Sequence, residues 1–579
     1  MIIFFGLLGL LQCWFLPGFV FLIFIKRIKF FEVILLSLPL SLVINYILIF
    51  GLSIFNIYKR DLIFLIIILE ILIIIYKLYF IGYYKKLYNF FNRLVSFNSK
   101  IYNFRFVFLD IVIIILFLFY FFLALNNIGE VIHPSDPLIM WNHWALEWHR
   151  GGLPVSSGDY PQSIPILLSI IYLLTQNIEV EFFSRILFLI YPLWVFLIFI
   201  YCLFLLKKYL VEIKLSLIFF ALFNFYIFRH YAMNIGYVDP ILLVYTSIVG
   251  LLLCKLIKEK IYENKYAFFI ICVIISGAGI VKQTGLLVSF IFPILFFIFL
   301  EEKLKKKLMY LLVSTLIIFF IIAPWYLYKL HSYFLLYSDS SNIVALSKQV
   351  NGTILEKILR GVNYLFSWSF PFVLLLVFYA IKNRYLFIVF LFFVFPFFLI
   401  WSIFFGNDSR NFAIAIPAIS LILGFGYFNL LKYFNKYFFF KKYFKLISFS
   451  IFLISSIFFL KFYRSDTVLI SKSIEKKMLR GNNKINTILY HYVKKNEITN
   501  EIYYNDQEFY KLPIIENQLI LESCDVIINR INDLKQDYQF YVFINKNLCE
   551  QKKFDDKKLF SKATKVFSED NFILYLVTK

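Results

Sequence analysis

Charged residues are scarce in this 579-residue chain, because Asp, Glu, Lys and Arg together supply only 16% of it. An ordinary soluble domain is about 25% charged and about 45–50% apolar, whereas 61% of this chain is hydrophobic. Its mean hydropathy is +0.80, and apolar runs of membrane-spanning length recur along it. These figures exclude an ordinary soluble protein and predict an integral membrane protein with many spans.

Cysteine is also rare, and the six cysteines form no CxxC pair, the usual signature of a cysteine metal site. Cys524 and Cys549 lie in the polar C-terminal tail, where they would form a disulfide only in an oxidising compartment. No cleavable signal peptide is evident, since the start lacks basic residues and its apolar run is too long. The remaining cysteines lie in apolar runs and are predicted to be buried thiols: Cys13, Cys202, Cys254 and Cys272.

Positive charge exceeds negative charge, with 58 Lys and Arg against 35 Asp and Glu. A net charge of +23 would suggest nucleic acid in a soluble protein, but here the basic residues form short clusters between apolar segments. This pattern indicates membrane topology and anionic lipid headgroups, with no nucleic-acid partner. Apart from Lys59 and Arg60, the positive-inside rule places the clusters in the cytoplasm: 26–29, 85–105, 207–214, 255–260, 303–307, 382–384 and 432–442.

The resulting fold class is mostly α, a polytopic helix bundle of about 12–14 spans with a small C-terminal α/β domain. The run from Ser163 to Thr175 is short for a crossing, which needs about 20 residues, and is predicted to be a juxtamembrane or re-entrant helix. The predicted divisions are 1–105 for N-terminal spans and a basic loop, 106–462 for the core with external loop 127–162, and 463–579 for an external soluble domain.

The external loop carries the first candidate site residue, Asp136. Pro137 follows it, so Asp136 is placed as the N-cap of a helix that contains three tryptophans and has the apolar stripe Leu138, Trp141, Ala145 and Trp148. We expect this helix to lie in the headgroup plane and to end at the pair Gly151-Gly152.

Further polar residues fall at helix ends on the same predicted face. Asp239 opens a span, Lys282 lies in the turn Lys-Gln-Thr-Gly, and Asp408 and Arg410 precede another span. Cations beside carboxylates suit a lipid-linked phosphate, because the cations bind the phosphate and a carboxylate takes a proton from a hydroxyl. Ionisable residues at such positions are functional candidates.

In this arrangement the chain resembles the GT-C membrane glycosyltransferases, over roughly residues 106–430. The branch it is similar to holds protein O-mannosyltransferases and lipid A aminoarabinose transferases. The resemblance rests on the acid of the first external loop, the stretch from Asp159 to Pro165, and the turn and span-end elements named above. It implies a polyprenyl-phosphate sugar donor and transfer to a lipid, glycan or protein hydroxyl at the external or periplasmic face of a bacterial inner membrane.

The resemblance also implies roles for residues. Asp136 would be the catalytic base, with Asp239 as a second catalytic candidate, and Lys282 and Arg410 would contact the phosphate. Family members usually pair the first-loop acid with a neighbouring acid, whereas here Ser135 precedes Asp136, so a divalent metal is possible but not assigned. The other candidate substrate contacts are Asp408, Asp159, Tyr160 and His143.

Each candidate also has a structural interpretation. Asp136 and Asp239 both precede proline and would serve as helix caps; Lys282 would anchor at the headgroups and Arg410 would be a charge at a span end. The remaining alternatives are a metal site from His143, Glu147 and His149, and a loop-shaping role for Asp159 and Tyr160.

The tail predicts a helix over 474–493, strands at 501–505, 525–529 and 539–544, and a hairpin of 566–567 with 572–577. The first three spans show almost no polar residues that would face one another, so we expect them to be structural.

Two other function classes stay open: a lipid-linked saccharide flippase, transporter or assembly factor, and a polysaccharide ligase or polymerase. A transporter would place its polar residues near mid-span instead of at helix ends.

Overall fold

The computed structural model describes most of the helical part of the chain and five strands of the tail. The described residues are 1–25, 28–80, 109, 111–118, 141–154, 160–176, 182–205, 210–228, 238–259, 261–336, 352–366, 370–405, 409–434, 502–504, 519–521, 540–545, 563–569 and 572–577.

Helices dominate the described residues, as the composition predicts. In chain order they are α1 Ile2–Trp14, α2 Leu16–Leu22, α3 Phe30–Ile54, α4 Arg60–Phe80, α5 His143–His149, α6 Ser163–Thr175, α7 Phe182–Leu205, α8 Leu210–Phe228, α9 Asp239–Glu259, α10 Lys265–Val281, α11 Gly285–Phe299, α12 Leu304–Leu336, α13 Ile354–Phe366, α14 Phe370–Ala380, α15 Arg384–Val389, α16 Phe395–Phe405 and α17 Ile416–Phe434. Residues 111–118 are helical as well.

The length and apolarity of these helices make the chain an integral membrane protein. Within the described residues, five helices are long and apolar enough to cross a bilayer, or six if the bent pair α1 and α2 is one span. Helix α6 has the bounds expected from its sequence, is 13 residues long and is buried along its whole length. The predicted total of 12–14 spans stays a prediction, because other segments lie outside the described residues.

Small residues allow helices of the bundle to pack closely. Helix α17 runs beside α8 and α14. A Cβ added at Gly424 would collide with the backbone of Ser216 in α8, and one at Gly426 with the backbone of Leu376 in α14. Such close approach is a common source of helix association in membranes, where apolar burial alone does not favour protein over lipid.

Polar side chains do meet among the N-terminal helices, so the expectation that they would not is wrong. Gln12 of α1 donates from Nε2 to Oδ1 of Asn45 in α3 at 3.1 Å, and Nδ2 of Asn45 donates to the carbonyl of Gln12 at 2.9 Å. The buried Glu32 accepts from the hydroxyl of Tyr201 in α7. These bonds join α1, α3 and α7, because a buried polar group must find a partner.

The described tail residues form a mixed five-stranded sheet: β1 Ile502–Tyr504, β2 Leu519–Leu521, β3 Phe540–Asn545, β4 Ala563–Glu569 and β5 Phe572–Val577. The order is β2-β1-β3-β5-β4, with β1 parallel to β2 and β3, and β5 antiparallel to β3 and β4. The predicted hairpin is present, but β2 was not predicted. The predicted helix 474–493 and strand 525–529 lie outside the described residues, so the α/β character of the tail stays a prediction.

Two further expectations have different outcomes. The charge pattern of the sequence predicts an external loop over 329–360. This segment is partly helical, since α12 continues to Leu336 and α13 begins at Ile354. The predicted domain divisions stay predictions, because residues on both sides of 105 and of 462 lie outside the described residues.

Candidate functional site

Three polar residues from separate parts of the chain meet at one end of the helical bundle. Asp239 is the first residue of α9, Lys282 directly follows α10, and Asn411 lies in the 3-10 turn Ser409–Ala415 before α17. The Nζ atom of Lys282 lies 2.8 Å from Oδ1 of Asp239 and 2.7 Å from Oδ1 of Asn411. We call these three residues the Lys282 cluster.

The turn between α10 and α11 positions Lys282. Lys282 leaves the helix in an extended conformation, with φ −154° and ψ 151°, and its carbonyl accepts from the amide of Gly285 at 2.8 Å. A Cβ at Gly285 would collide with the carbonyl of Ala278, so this close return of the chain requires glycine. The hydroxyl of Thr284, in the same turn, is buried and has no hydrogen-bond partner among the described residues.

Burial makes the Lys282 cluster an unusual place for charge. The side chain of Asp239 is 3% exposed and that of Lys282 is 14% exposed. Buried charges are tolerated when they are paired and hydrogen-bonded, and the carboxylate and the amide oxygen of the cluster meet both needs. An ammonium group has three N–H donors, and the two oxygens take two of them. The third has no partner among the described residues, so Lys282 retains a donor for an anion.

Two members of the cluster, Asp239 and Lys282, are predicted from the sequence, whereas Asn411 is not. The only sequence feature that could have indicated Asn411 is its position directly after Arg410. The backbone of Arg410 lies in the 3-10 turn, whereas Asp136 and Asp159 lie outside the described residues. Asp408 also lies outside them.

Two predicted residues of the first loop, His143 and Tyr160, lie in the described part of the chain and make local contacts. Nε2 of His143 lies 3.2 Å from Oε1 of Glu147, one turn along α5, and among the described residues no group of three His, Cys, Asp or Glu is arranged to hold a metal. The ring of Tyr160 lies 5.5 Å from that of Trp141 and 5.9 Å from that of Trp144. Tyr160 therefore packs on aromatic rings of the first loop.

The tryptophans of α5 and its preceding turn face protein, and the expectation that they lie among lipid headgroups is wrong. Trp141, Trp144 and Trp148 are all buried. Nε1 of Trp148 donates to Oε1 of Gln162 at 3.1 Å, which ties α5 to the start of α6. The helix ends at His149, and Gly151, two residues later, has φ +83°.

The loop after α5 is also held from α12. Nζ of Lys329 donates to the carbonyl of Pro154 at 2.6 Å and lies 5.1 Å from the centre of the Trp325 ring. Lys329 was expected to begin an external loop, and instead it is a buried residue of a helix.

Comparison with known structures gives the overall fold. ArnT from Cupriavidus metallidurans in the apo state is similar with a TM-score of 0.50 and 11% sequence identity, over 81% of this chain and 97% of that chain. The chain has an ArnT-like fold. The structure of the same protein bound to undecaprenyl phosphate has a TM-score of 0.47 and 10% identity over the same shares.

At 11% identity this likeness shows the fold alone. No protein-family model matches the chain, and no curated protein matches it in sequence.

Proposed function

We propose that this chain is a membrane glycosyltransferase that takes a sugar from a polyprenyl-phosphate donor and transfers it to a hydroxyl group. The observation that carries the proposal is the Lys282 cluster, a cation held at the end of the bundle by two oxygens with one donor left. A cation fixed in advance stabilises the negative charge that develops on a departing phosphate without reorganisation. The acceptor is a hydroxyl of a lipid, glycan or protein.

The reaction needs few groups. The acceptor oxygen attacks the anomeric carbon, the bond from that carbon to the phosphate oxygen breaks, and polyprenyl phosphate leaves with the bonding electrons. Asp136 takes the proton of the acceptor hydroxyl. Lys282 and Arg410 neutralise the phosphate, and Asp239 is the counter-ion that holds Lys282. Asp408, Asp159, Tyr160 and His143 line the path of the substrates.

The charge pattern of the sequence supports an orientation. With the basic clusters inside, the Lys282 cluster lies at the external or periplasmic face of a bacterial inner membrane. The bundle then has about 12–14 spans, with the core over 106–462 and an α/β domain over 463–579 at the same face.

The test is release of polyprenyl phosphate from a panel of lipid-linked sugars by the purified protein, with acceptor lipids present. We expect turnover by the wild type and a loss of at least about a hundredfold in Asp136→Asn, the range typical of a general base. Asp61→Asn is a matched control, because Asp61 is exposed in the first turn of α4. Full activity of folded Asp136→Asn would refute its role, and donor binding without turnover would favour a flippase.

A further inference from the structure

Asn411 contributes a neutral oxygen to the Lys282 cluster. Its Oδ1 accepts a hydrogen bond from Nζ of Lys282, which lies 129 residues away in sequence. The bond length of 2.7 Å is as short as the 2.8 Å of the Lys282–Asp239 ion pair. The two acceptors come from different elements, the start of α9 and the 3-10 turn before α17. The lysine is therefore fixed from two sides, and its third N–H has a set direction, since the donors of an ammonium are tetrahedral.

The chemistry of the second acceptor matters for an anion. Asp239 already cancels the charge of Lys282, so a second carboxylate would leave the cluster negative and repel phosphate. An amide oxygen fixes the ammonium without adding charge. Asparagine thus meets two needs at once, a hydrogen bond to lysine and a cluster of zero net charge.

Asn411 also connects two candidate cations. Arg410 is its neighbour in the chain, and both lie in the turn Ser409–Ala415. The hydrogen bond from Lys282 holds the backbone of this turn against the end of α10.

We propose that Asn411 is a positioning residue for phosphate binding: it orients the Lys282 ammonium while adding no charge to the cluster. This inference rests on the proposed function, because it assumes that a phosphate is the bound group. Asn411 acts through Lys282 and does not itself touch the reacting atoms.

The experiment compares the affinities of the full-length protein for undecaprenyl phosphate and for undecaprenol, which lacks the phosphate. We expect the wild type to prefer the phosphate, and Asn411→Ala to bind it about tenfold more weakly, equal to about 1.4 kcal/mol, with undecaprenol binding unchanged. In a Lys282→Met background the same change is expected to add nothing, because its effect passes through the lysine. Asn264→Ala is the matched control, since Asn264 caps the opposite end of α10 and should leave both affinities unchanged.

A second variant separates positioning from support of the fold. Asn411→Asp retains an acceptor for Lys282 but adds a negative charge, so we expect unchanged thermal unfolding and weaker phosphate binding. A purely structural role predicts wild-type binding by this variant. If Asn411→Ala does not fold, phosphate binding by Asn411→Asp alone tests the positioning role.

The outcomes distinguish the two proposals. A wild type that prefers the phosphate, together with Asn411 variants that bind it normally, overturns the positioning role alone. The positioning role is also overturned if Asn411→Ala weakens undecaprenol binding as much as phosphate binding. It is overturned as well if Asn411→Ala still weakens phosphate binding tenfold in the Lys282→Met background. A wild type that does not discriminate phosphate from undecaprenol overturns the proposed function and this inference with it.

Discussion

Nζ of Lys282 lies 2.8 Å from Oδ1 of Asp239, although the two residues are 43 positions apart in sequence. They meet because Asp239 is the first residue of α9 and Lys282 directly follows the last residue of its antiparallel neighbour α10. The carboxylate is almost fully buried, so the lysine is the counter-ion that makes its burial tolerable. The pair therefore supports the bundle and holds an ammonium group at its end.

Removing one partner of this pair should cost more stability than removing both. Lys282→Met leaves a buried carboxylate without its counter-ion, which destabilises a folded protein by about 3–5 kcal/mol. In Lys282→Met with Asp239→Leu, no charge is left unpaired, and we expect recovery of at least half of the loss. Thermal unfolding in detergent measures both variants. A double variant less stable than Lys282→Met would contradict this prediction.

Gly285 should be intolerant of a methyl group. Its added Cβ meets the backbone of Ala278, which cannot move aside without opening the turn that carries Lys282. We expect Gly285→Ala to lower the unfolding temperature and to weaken undecaprenyl phosphate binding. Gly250→Ala in α9 is the matched control, since nothing lies within 4 Å of its added Cβ, and alanine is the better helix former by about 0.8–1 kcal/mol. Equal behaviour of the two variants would refute the steric explanation.

His149 should make the stability of the fold depend on pH. Burial, and then the neighbouring charge of Arg150, lower the pKa of its imidazole below the usual 6.5. The folded state then binds fewer protons than the unfolded state, so stability is full above pH ~6.5 and falls as the pH drops toward the folded-state pKa. We expect His149→Gln to flatten the dependence of the unfolding temperature on pH between pH 7.5 and 5, values on either side of the usual histidine pKa of about 6.5. His143→Gln is the comparison, and an unchanged slope in His149→Gln would contradict the assignment.

Helix α13 should lie at the membrane surface with its apolar stripe in lipid. Ile354, Leu355 and Leu359 are 64%, 66% and 53% exposed, whereas Gly361 packs on Trp401 of α16. Such a stripe beside polar residues is typical of an interfacial helix. Spin labels placed in a cysteine-free background in lipid nanodiscs should collide more with oxygen at 355 and 359, and more with a water-soluble nickel complex at 356 and 363. Equal water accessibility at 355 and 356 would contradict this orientation.

Much of the helix pattern was predictable from the sequence, because helices that span a bilayer need long apolar runs. The short helix Ser163–Thr175 and the pairing of Asp239 with Lys282 at one end follow from that pattern combined with the charges. Periodicity also gave the apolar face of α5, but not what covers it. Lipid and protein interior are both apolar, so the sequence could not show that Trp148 packs inside the protein.

Contacts between distant residues were the least predictable part of the site. Asn411 reaches Lys282 across 129 residues, and an uncharged amide before a span carries no distinct signal. The pair of Gln12 and Asn45, 33 residues apart, was missed for the same reason. Local patterns give the ends of helices, and packing alone decides which ends meet.

The most direct test of the central claim is release of polyprenyl phosphate from a lipid-linked sugar, measured per folded molecule for the wild type, Lys282→Met and Lys265→Met. Lys265 is exposed at the opposite end of α10 and serves as the matched control. We predict turnover by the wild type and by Lys265→Met, and a loss of about a hundredfold or more in Lys282→Met, the scale of one preorganised charge contact. Wild-type turnover in folded Lys282→Met, or no release by the wild type from any donor, would contradict the claim that this lysine holds the departing phosphate.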